Sequence, residues 1–572
     1  MTAPALPVLT DLPGITLAEA DGVPLLLAPR EGNTTGGIIF RVGSADETLA
    51  TAGITHLIEH LALRTQVLSE AHLNGHTRSD VTLFHVAGSA ADVVAYLNAV
   101  CESLRDLPLD LIETEKDILR SESDGRSPGF GGQLRINRHG ARGHGLVGYG
   151  ERGLDRITPD EVREWAARWF TRENAVAWIT ADAVPDGLDL RLPAGSRMPS
   201  PTVTNVLRGT PAYLAGLRDG VALDALVPHG KAGQLTAGVM REVLHGTLRR
   251  DADIASSVDV SYEALNPDQA RIGVVVQAAE GRQGSVAGAV ADALGRLWFY
   301  VADDDLAAAR TAAVEELAGV AELPAADMLP SVAYRVLNGR PVEGAETIRA
   351  HVELVTADDV RAVARDLWGT ALWYVPGALD WAGIVPVPQW SEQRARGREF
   401  RRIDAPDVSL VLAEDGVGLV APQGAVTVRF ADCVLLETVP DGARVLTGAD
   451  GFRVLIEPTV YRDLTGEDVA RHVDSRVAAD VIVHHPPRDP ERVPVAEPPR
   501  PPGAKRADRT SVSGTIERLV GLWVVGFLVL GGGQLAAEEL LDLEIRLGVL
   551  PLLALGAASV ALVRKRHGKG AR

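Results

Sequence analysis

An amphipathic helix that leads into an apolar strand occurs twice along the chain. Each copy begins with a threonine, Thr158 or Thr356, followed three positions later by an acidic residue, which is a signal for a helix start. The copies lie about 200 residues apart, and such a separation indicates an internal repeat. The pattern predicts two α+β halves of similar size, residues 1–195 and 196–395.

Residues 400–480 follow a different pattern, in which apolar and polar positions alternate over short runs. Asp-Gly pairs that begin at Asp415, Asp441 and Asp450 separate these runs, as turns separate antiparallel strands. A capped helix is predicted over residues 465–477. We predict a small β-rich domain. A plain structural role is favoured over a pleckstrin-homology-like module that binds lipid or peptide, because only analogy supports the latter.

The last part of the chain combines a proline-rich stretch with two apolar segments. Residues 484–514 are rich in proline and charge, which predicts an extended linker. Within residues 517–564, two apolar segments approach the length of a membrane-spanning helix, and an acidic loop joins them. Basic residues flank this hairpin on both sides, so the positive-inside rule predicts two transmembrane helices with both ends in the cytoplasm. The alternative is a hydrophobic hairpin buried in an oligomer.

The net charge and the cysteine content indicate which partners and which cellular compartment to expect. The 572-residue chain has a formal net charge of −19, which argues against a nucleic-acid partner because phosphate binding needs a basic surface. Its two cysteines, Cys101 and Cys433, cannot form a disulfide framework and indicate a reducing compartment. The N-terminal residues do not resemble a signal peptide. We expect a cell-membrane protein whose main body is cytoplasmic.

The sequence His-Leu-Ile-Glu-His at residues 56–60 contains the candidate metal-binding and catalytic side chains. Residues at positions i, i+3 and i+4 share one face of a helix, so His56, Glu59 and His60 point the same way. Neutral imidazoles bind zinc, and a carboxylate beside them can deprotonate a zinc-bound water. This order of residues is the inverted zincin motif H-x-x-E-H. The alternative is a helix surface that has the pattern by chance.

Three further motifs surround these residues: Gly43-Ser44-x-x-Glu47, the strand pattern Asn74-x-x-Thr77-x-x-x-x-Thr82, and two acids seven positions apart, Glu115 and Glu122. Together the four motifs resemble the pitrilysin/insulinase (inverzincin) family of zinc metallopeptidases, over about residues 5–395. Two features depart from the family. Gly75 replaces the usual Ala, and the stretch between Leu63 and Leu73 is shorter.

The resemblance implies a role for each matching residue. It implies Zn²⁺ as cofactor, with His56, His60 and Glu122 as its ligands and Glu59 as the general base. Glu115 would accept a hydrogen bond from a ligand imidazole. Asn74 would lie on the edge strand that pairs with the substrate backbone. The alternative for the two acids of the helix, Glu115 and Glu122, is a solvated helix face.

The resemblance also implies partners. Family enzymes enclose a peptide or unfolded segment in a chamber of four such domains, and this chain supplies two. A homodimer or a second insulinase-like chain is therefore expected. In active members an Arg and a Tyr from a non-catalytic half contact the substrate. Arg249 matches the Arg, but Ser256 stands where the Tyr would be. The alternative for Arg249 is an ordinary surface arginine.

Two functions follow from these observations. The first is a membrane-tethered zinc metalloendopeptidase that cleaves peptides or unfolded segments at the cytoplasmic face, with Glu59 activating the zinc-bound water. The second is a weakly active or inactive relative that binds peptide or scaffolds an assembly at the membrane. The complete set of catalytic side chains favours the enzyme, whereas Ser256 and the shortened stretch before Asn74 favour the scaffold.

Overall fold

The first half of the chain forms a six-stranded sheet covered by helices. The computed structural model describes residues 13–64, 72–123, 129–251, 254–279, 282–381 and 383–496. The strands of the first half are β1 (Thr16–Ala20), β2 (Val23–Leu27), β3 (Thr34–Phe40), β4 (His72–Thr77), β5 (Thr82–Gly88) and β6 (Ala175–Ile179). Its helices are α1 (Ile54–Leu63), α2 (Ala90–Arg105), α3 (Ile112–Ser123), α4 (Gly129–His139) and α5 (Pro159–Trp169).

The strand order of this sheet is β1-β2-β6-β3-β5-β4. All five residues of β6 are buried, because both faces of the sheet are covered there and a doubly covered strand has to be apolar throughout. One face, which includes Ile38 and Phe84, packs against α1 and α2 in the main core of this half. As its polar composition predicts, β4 lies at the edge of the sheet, where β5 is its one partner among the described strands.

The second half repeats this architecture. Its strands are β7 (Ala212–Ala215), β8 (Gly220–Pro228), β9 (Ala255–Ala264), β10 (Gln269–Ala278), β11 (Leu372–Val375) and β12 (Val385–Pro386). Its helices are α6 (Lys231–Leu244), α7 (Gln283–Phe299), α8 (Asp303–Ala321), α9 (Ala325–Leu337), α10 (Ala345–Leu354) and α11 (Ala357–Thr370). Strand β11 lies between β7 and β8, as β6 lies between β2 and β3. Thr158 and Thr356 cap α5 and α11 as predicted.

The two halves exchange one helix each across their interface. Helix α9 of the second half packs on the first sheet, where Leu329 and Val332 meet Trp178. Helix α4 of the first half packs on the second sheet, where Leu134 meets Leu372 and other apolar residues. Each sheet therefore has its second apolar face covered by the opposite half. This exchange makes the two halves one structural unit.

A buried ion pair lies in this interface. Arg138 on α4 and Asp224 on β8 are both fully buried and form an ion pair. Arg138 Nη2 also donates to the carbonyl of Thr370 at 2.9 Å, and Arg271 lies 3.3 Å from the other carboxylate oxygen of Asp224. Burial by itself would raise the pKa of Asp224, but the positive charges of the two arginines lower it. The carboxylate therefore stays charged inside the protein.

The third unit contains two four-stranded sheets, which we call the β-domain (residues 397–496). Its strands are β13 (Gly397–Arg401), β14 (Ser409–Ala413), β15 (Gly416–Ala421), β16 (Gly424–Arg429), β17 (Cys433–Thr438), β18 (Arg444–Gly448), β19 (Arg453–Ile456) and β20 (Ile482–His484), and its helix is α12 (Gly466–Val473). The Asp-Gly pairs at Asp441 and Asp450 lie in turns between strands, as predicted, whereas at Asp415 the turn ends with the aspartate and Gly416 begins β15. Helix α12 lies within the predicted residues 465–477 and is followed by one more strand, β20, which pairs in parallel with β17.

The β-domain packs against the first half. Leu435 and Val483 share a small apolar core with Leu49 and Ala50, which lie in the short turn before α1. Polar contacts surround this core: Arg152 lies 3.0 Å from Glu437, and His485 lies 2.8 Å from Asp155 and 3.4 Å from Glu437. Residues 485–496, which fall in the predicted linker, belong to this domain and pack on its other residues, where Arg488 pairs with Glu457.

His485 makes this interface sensitive to pH. The hydrogen bond to Glu437, together with that to Asp155, raises the pKa of His485 above its ordinary 6.5 and outweighs the effect of partial burial. A protonated ring donates from both nitrogens, but a neutral ring donates from only one. The contribution of the protonated His485 ring to the free energy of unfolding is therefore complete below the unfolded-state pKa. It is lost as the pH rises through the raised folded-state pKa. The other charged groups at this contact are Arg120, Arg152 and Arg453.

We expect the wild type to lose its thermal-stability advantage over His485→Gln as the pH rises from about 6 to about 9. Unfolding midpoints of both proteins across this range provide the measurement. An advantage that stays constant with pH would contradict the role assigned to the protonated ring.

The predicted membrane hairpin, residues 517–564, and residues 497–514 of the predicted linker lie outside the described residues. Among the helices that the structure does describe, none combines the length and apolar character that crossing a bilayer requires.

Candidate metal centre

The motif helix α1 is fixed at its N-terminus by a buried carboxylate. Gly53 precedes the helix with a φ of +102°, a conformation that favours glycine, and it has no side chain to cap the helix. Glu47 takes over this task, because its two carboxylate oxygens accept hydrogen bonds from the backbone N–H groups of Gly53 and Thr55, both at 2.9 Å. Burial raises the pKa of Glu47 to about 7 in spite of these bonds.

Three side chains with metal-binding atoms converge beside α1. Ligand atoms of His56, His60 and Glu122 all lie within 4.8 Å of one another, and His60 Nε2 is 3.9 Å from Glu122 Oε1. A tetrahedral zinc ion would need its ligand atoms about 3.4 Å apart. Small side-chain rotations therefore suffice to close the site. Two imidazoles and one carboxylate form the donor set of a zinc site that keeps one position open.

A carboxylate holds the Nδ1 atom of each histidine. His56 Nδ1 lies 2.5 Å from Glu151 Oε1, and His60 Nδ1 lies 3.3 Å from Glu115 Oε2. Because a carboxylate only accepts hydrogen bonds, each Nδ1 carries a proton and each Nε2 is left with its lone pair. This arrangement fixes the tautomer that a metal ligand needs. Arg64 contacts the other oxygen of Glu115 at 3.1 Å.

The electrostatic field around the site favours a cation. Burial by itself would lower the pKa of His56, but the hydrogen bond to Glu151 and the charges of neighbouring carboxylates outweigh it and raise the pKa. A field that stabilises a proton on an imidazole also stabilises a divalent ion beside it. The residues present therefore fit a zinc ion in both donor type and charge.

Glu59 is buried beside the edge strand β4. Thr77 donates a hydrogen bond from its hydroxyl to Glu59 Oε2 at 2.7 Å, which leaves Oε1 available. Gly75 faces the same carboxylate, and a Cβ atom at this position would lie 2.5 Å from Glu59 Oε1. The departure from the family's Ala thus has a structural consequence, because this strand approaches the general-base candidate more closely than a Cβ would permit.

For the peptide cleavage that the resemblance implies, replacing Thr77 with valine is expected to lower the rate by at least about tenfold, because a hydrogen bond to a charged group contributes about 1.5–3 kcal/mol. Glu59 would lose the contact that orients it, while the shape of the side chain at position 77 stays the same. The measurement is kcat on a peptide substrate. Thr236→Val, which removes a buried hydroxyl inside α6, is the control. Equal kcat values for the two variants would contradict the role of Thr77.

The substrate-binding candidates lie on different elements. Asn74 is exposed on β4, next to Gly75, and its carbonyl accepts a hydrogen bond from the Tyr96 hydroxyl at 3.0 Å. Arg249 lies in the second half, in the π-helical turn His245–Asp251 that continues α6. Ser256, at the position of the family's Tyr, is exposed on β9 and its hydroxyl donates to the carbonyl of Gln277.

Two contacts at the site do not follow from the motifs. Glu151 is 95 positions from its partner His56, and no local spacing connects them. Glu47 belongs to the Gly43-Ser44-x-x-Glu47 motif, but this motif does not indicate that Glu47 caps α1. Acidic residues alone are too common in this sequence to have served as a signal for either contact.

Solved structures share this fold. A protease from Helicobacter pylori matches with a TM-score of 0.52 and 15% identity, over 65% of this chain and 100% of that one. A peptidase M16 inactive domain from Pseudomonas fluorescens matches with the same TM-score, identity and coverage. The chain has the M16 peptidase fold. The periplasmic protease PqqL from Escherichia coli matches with a TM-score of 0.54 and 14% identity, over 80% of this chain and 57% of PqqL.

These likenesses confirm the insulinase-like fold expected from the motifs, and at such low identity they show the fold alone. The sequence itself matches no protein-family model and no curated protein. Both a protease and an inactive domain have this fold. The activity therefore depends on the residues of the site and not on the fold.

Proposed function

We propose that this protein is a zinc-dependent peptidase whose metal centre is formed by His56, His60 and Glu122. The observation that carries the proposal is the convergence of these three side chains next to a buried carboxylate, Glu59, on the same helix. Each histidine has its Nδ1 on a carboxylate, and such outer contacts on three converging ligand-type side chains support a metal centre here.

Zinc bound there would acidify a water molecule and polarise the carbonyl group of a peptide bond. Glu59 would accept the proton of the attacking water at Oε1 and later deliver it to the leaving amine. Thr77 holds the other oxygen of Glu59 and so directs Oε1. Glu151 and Glu115 hold the rings of His56 and His60.

The substrate would be an extended peptide or an unfolded segment. Strand β4 lies at the edge of its sheet and borders Glu59, so a peptide that adds to this edge would place its backbone beside the metal centre. Asn74 lies on this strand. Edge pairing uses backbone groups and depends little on the side chains of the substrate. Substrates of varied sequence could therefore bind in this way.

We also propose a cellular location and a partner chain for this protein. The apolar hairpin of residues 517–564 would tether the protein to the cell membrane, with the peptidase part at the cytoplasmic face. A second copy of the chain, or another insulinase-like chain, would complete the chamber and bring a second pair of halves to the substrate. The sequence pattern of the C-terminus and the paired halves support these two points.

A second candidate function is peptide binding without turnover, as part of a scaffold. Ser256 supports it, because a phenol that stabilises the developing oxyanion would be missing from this position. The structural likeness to an inactive M16 domain is in line with it. The metal ligands would then have a structural role.

The test uses the full-length protein, a pool of short unstructured peptides and mass-spectrometric detection. We expect the zinc-loaded wild type to cleave peptides, chelation to stop cleavage, and added zinc to restore it. His56→Ala should lose both zinc and cleavage, whereas His351→Ala, an exposed histidine on α10, should keep both.

Cleavage that persists after chelation, or an unchanged zinc content in His56→Ala, would contradict the proposal. A protein that binds zinc through His56 but cleaves nothing, alone or with candidate second chains, would favour the scaffold.

A further inference from the structure

The segment Tyr149–Asp155, which we call the bridge segment, lies between the metal centre and the β-domain. On one side Glu151 holds His56 Nδ1 at 2.5 Å, and the N–H of Gly153 donates to the carbonyl of Ala52 at 3.0 Å. Ala52 lies two residues before α1. The bridge segment therefore touches both the start of the motif helix and the first of its proposed ligands.

On its other side the bridge segment is held by the β-domain. Arg152 lies 3.0 Å from Glu437, and Asp155 lies 2.8 Å from His485. Glu437 is buried, and His485 bridges it to Asp155. Burial by itself would raise the pKa of Glu437, but the hydrogen bond from His485 and the charge of Arg152 lower it to about 2. The Arg152–Glu437 pair thus remains charged under ordinary conditions.

A second connection reaches the helix that carries Glu122. Asp155 also accepts a hydrogen bond from Arg120 at 2.6 Å, and Arg120 lies two residues before Glu122 on α3. The β-domain is thereby linked to both sides of the metal centre, to His56 through Glu151 and to the Glu122 helix through Asp155.

We propose, on the basis of the proposed function, that the β-domain is a positioning element of the metal centre. It stabilises the metal centre by holding the bridge segment in place through Glu437 and His485. The bridge segment contains neither helix nor strand, so contacts with its neighbours determine its conformation. Only a fixed segment can keep Glu151 on the His56 ring. Loss of such an outer contact typically weakens metal binding about 10–100-fold.

Glu151 and the β-domain therefore share one function, which is to keep His56 in position. Glu151 is the positioning residue for His56, and the β-domain keeps it in place from more than 280 positions away in the sequence, through Arg152 and Glu437. The β-domain then acts through the chain itself and needs no ligand of its own to affect the metal centre.

The test compares full-length proteins by zinc competition with a coloured chelator and by hydrogen exchange of residues 149–155. We expect the double variant Glu437→Gln/His485→Gln to exchange faster in the bridge segment and to bind zinc about tenfold more weakly. Glu151→Gln should weaken zinc binding without faster exchange. Excess zinc should restore the peptide turnover of the double variant, a rescue that general misfolding would not allow.

Glu457→Gln is the matched control. Glu457 is as buried as Glu437 and also pairs with an arginine, Arg488, at 2.7 Å, but this pair lies wholly within the β-domain. We expect its zinc affinity to stay within about twofold of the wild type. The single variant His485→Gln, a milder change, repeats the comparison if the double variant does not fold.

A double variant whose zinc affinity equals that of the wild type would overturn the proposal, whether or not the bridge segment exchanges faster. A control that loses as much affinity as the double variant would overturn it too, since the effect would then be general destabilisation. Failure of the proposed function looks different, because the wild type itself would then bind no zinc through His56.

Discussion

Replacing Glu59 with glutamine is expected to lower the kcat for peptide cleavage by about 10²–10⁴-fold, the range that a positioned general base contributes. Glutamine has the same shape and can still accept the hydrogen bond from Thr77, but it cannot take a proton from water. Zinc content should be unchanged, since Glu59 is not among the three side chains that converge as ligands. Steady-state cleavage assays together with zinc analysis measure both quantities.

Glu113→Gln provides the control for this substitution. Glu113 lies on α3 and its side chain is 78% exposed, so the same chemical change occurs near the site without touching it. This variant should match the wild type in kcat. If Glu59→Gln retained more than about a tenth of the wild-type rate, the proton transfer assigned to Glu59 would be wrong.

Replacing Arg138 with methionine is expected to destabilise the protein by about 3–5 kcal/mol, because the change leaves the fully buried carboxylate of Asp224 without its main partner. Arg271 contacts the same carboxylate but at 3.3 Å, and it also pairs with Glu263. The carbonyl of Thr370 would lose its donor as well. Helix α4 should then pack less firmly on the second sheet.

Urea unfolding followed by tryptophan fluorescence measures this effect. Arg163→Met on α5, where the arginine side chain is 60% exposed, is expected to change stability by no more than about 0.5 kcal/mol. If both variants unfold at the same urea concentration, the buried pair does not hold the two halves together.

Much of the fold was predictable because its signals are local. Capped helices, apolar strands and Asp-Gly turns depend on neighbouring residues, and the repeat of one helix and strand was enough to indicate two similar halves. The exchange of α4 and α9 was not predictable, since an amphipathic helix shows that it has an apolar face but not which sheet will cover that face. Strand β20 is not predicted, because its three residues are too few to show an alternation of apolar and polar positions.

The candidate site also has features that the sequence predicts and features that it does not. The sequence by itself determined that His56, Glu59 and His60 share a helix face, because the period of an α-helix fixes the directions of their side chains. It also placed Glu115 and Glu122 one above the other on a second helix. Tertiary structure alone decided that these helices meet, that Glu151 holds His56, and that Asp155 meets His485 across 330 positions. Such contacts depend on how the whole chain packs, and no local spacing in the sequence encodes them.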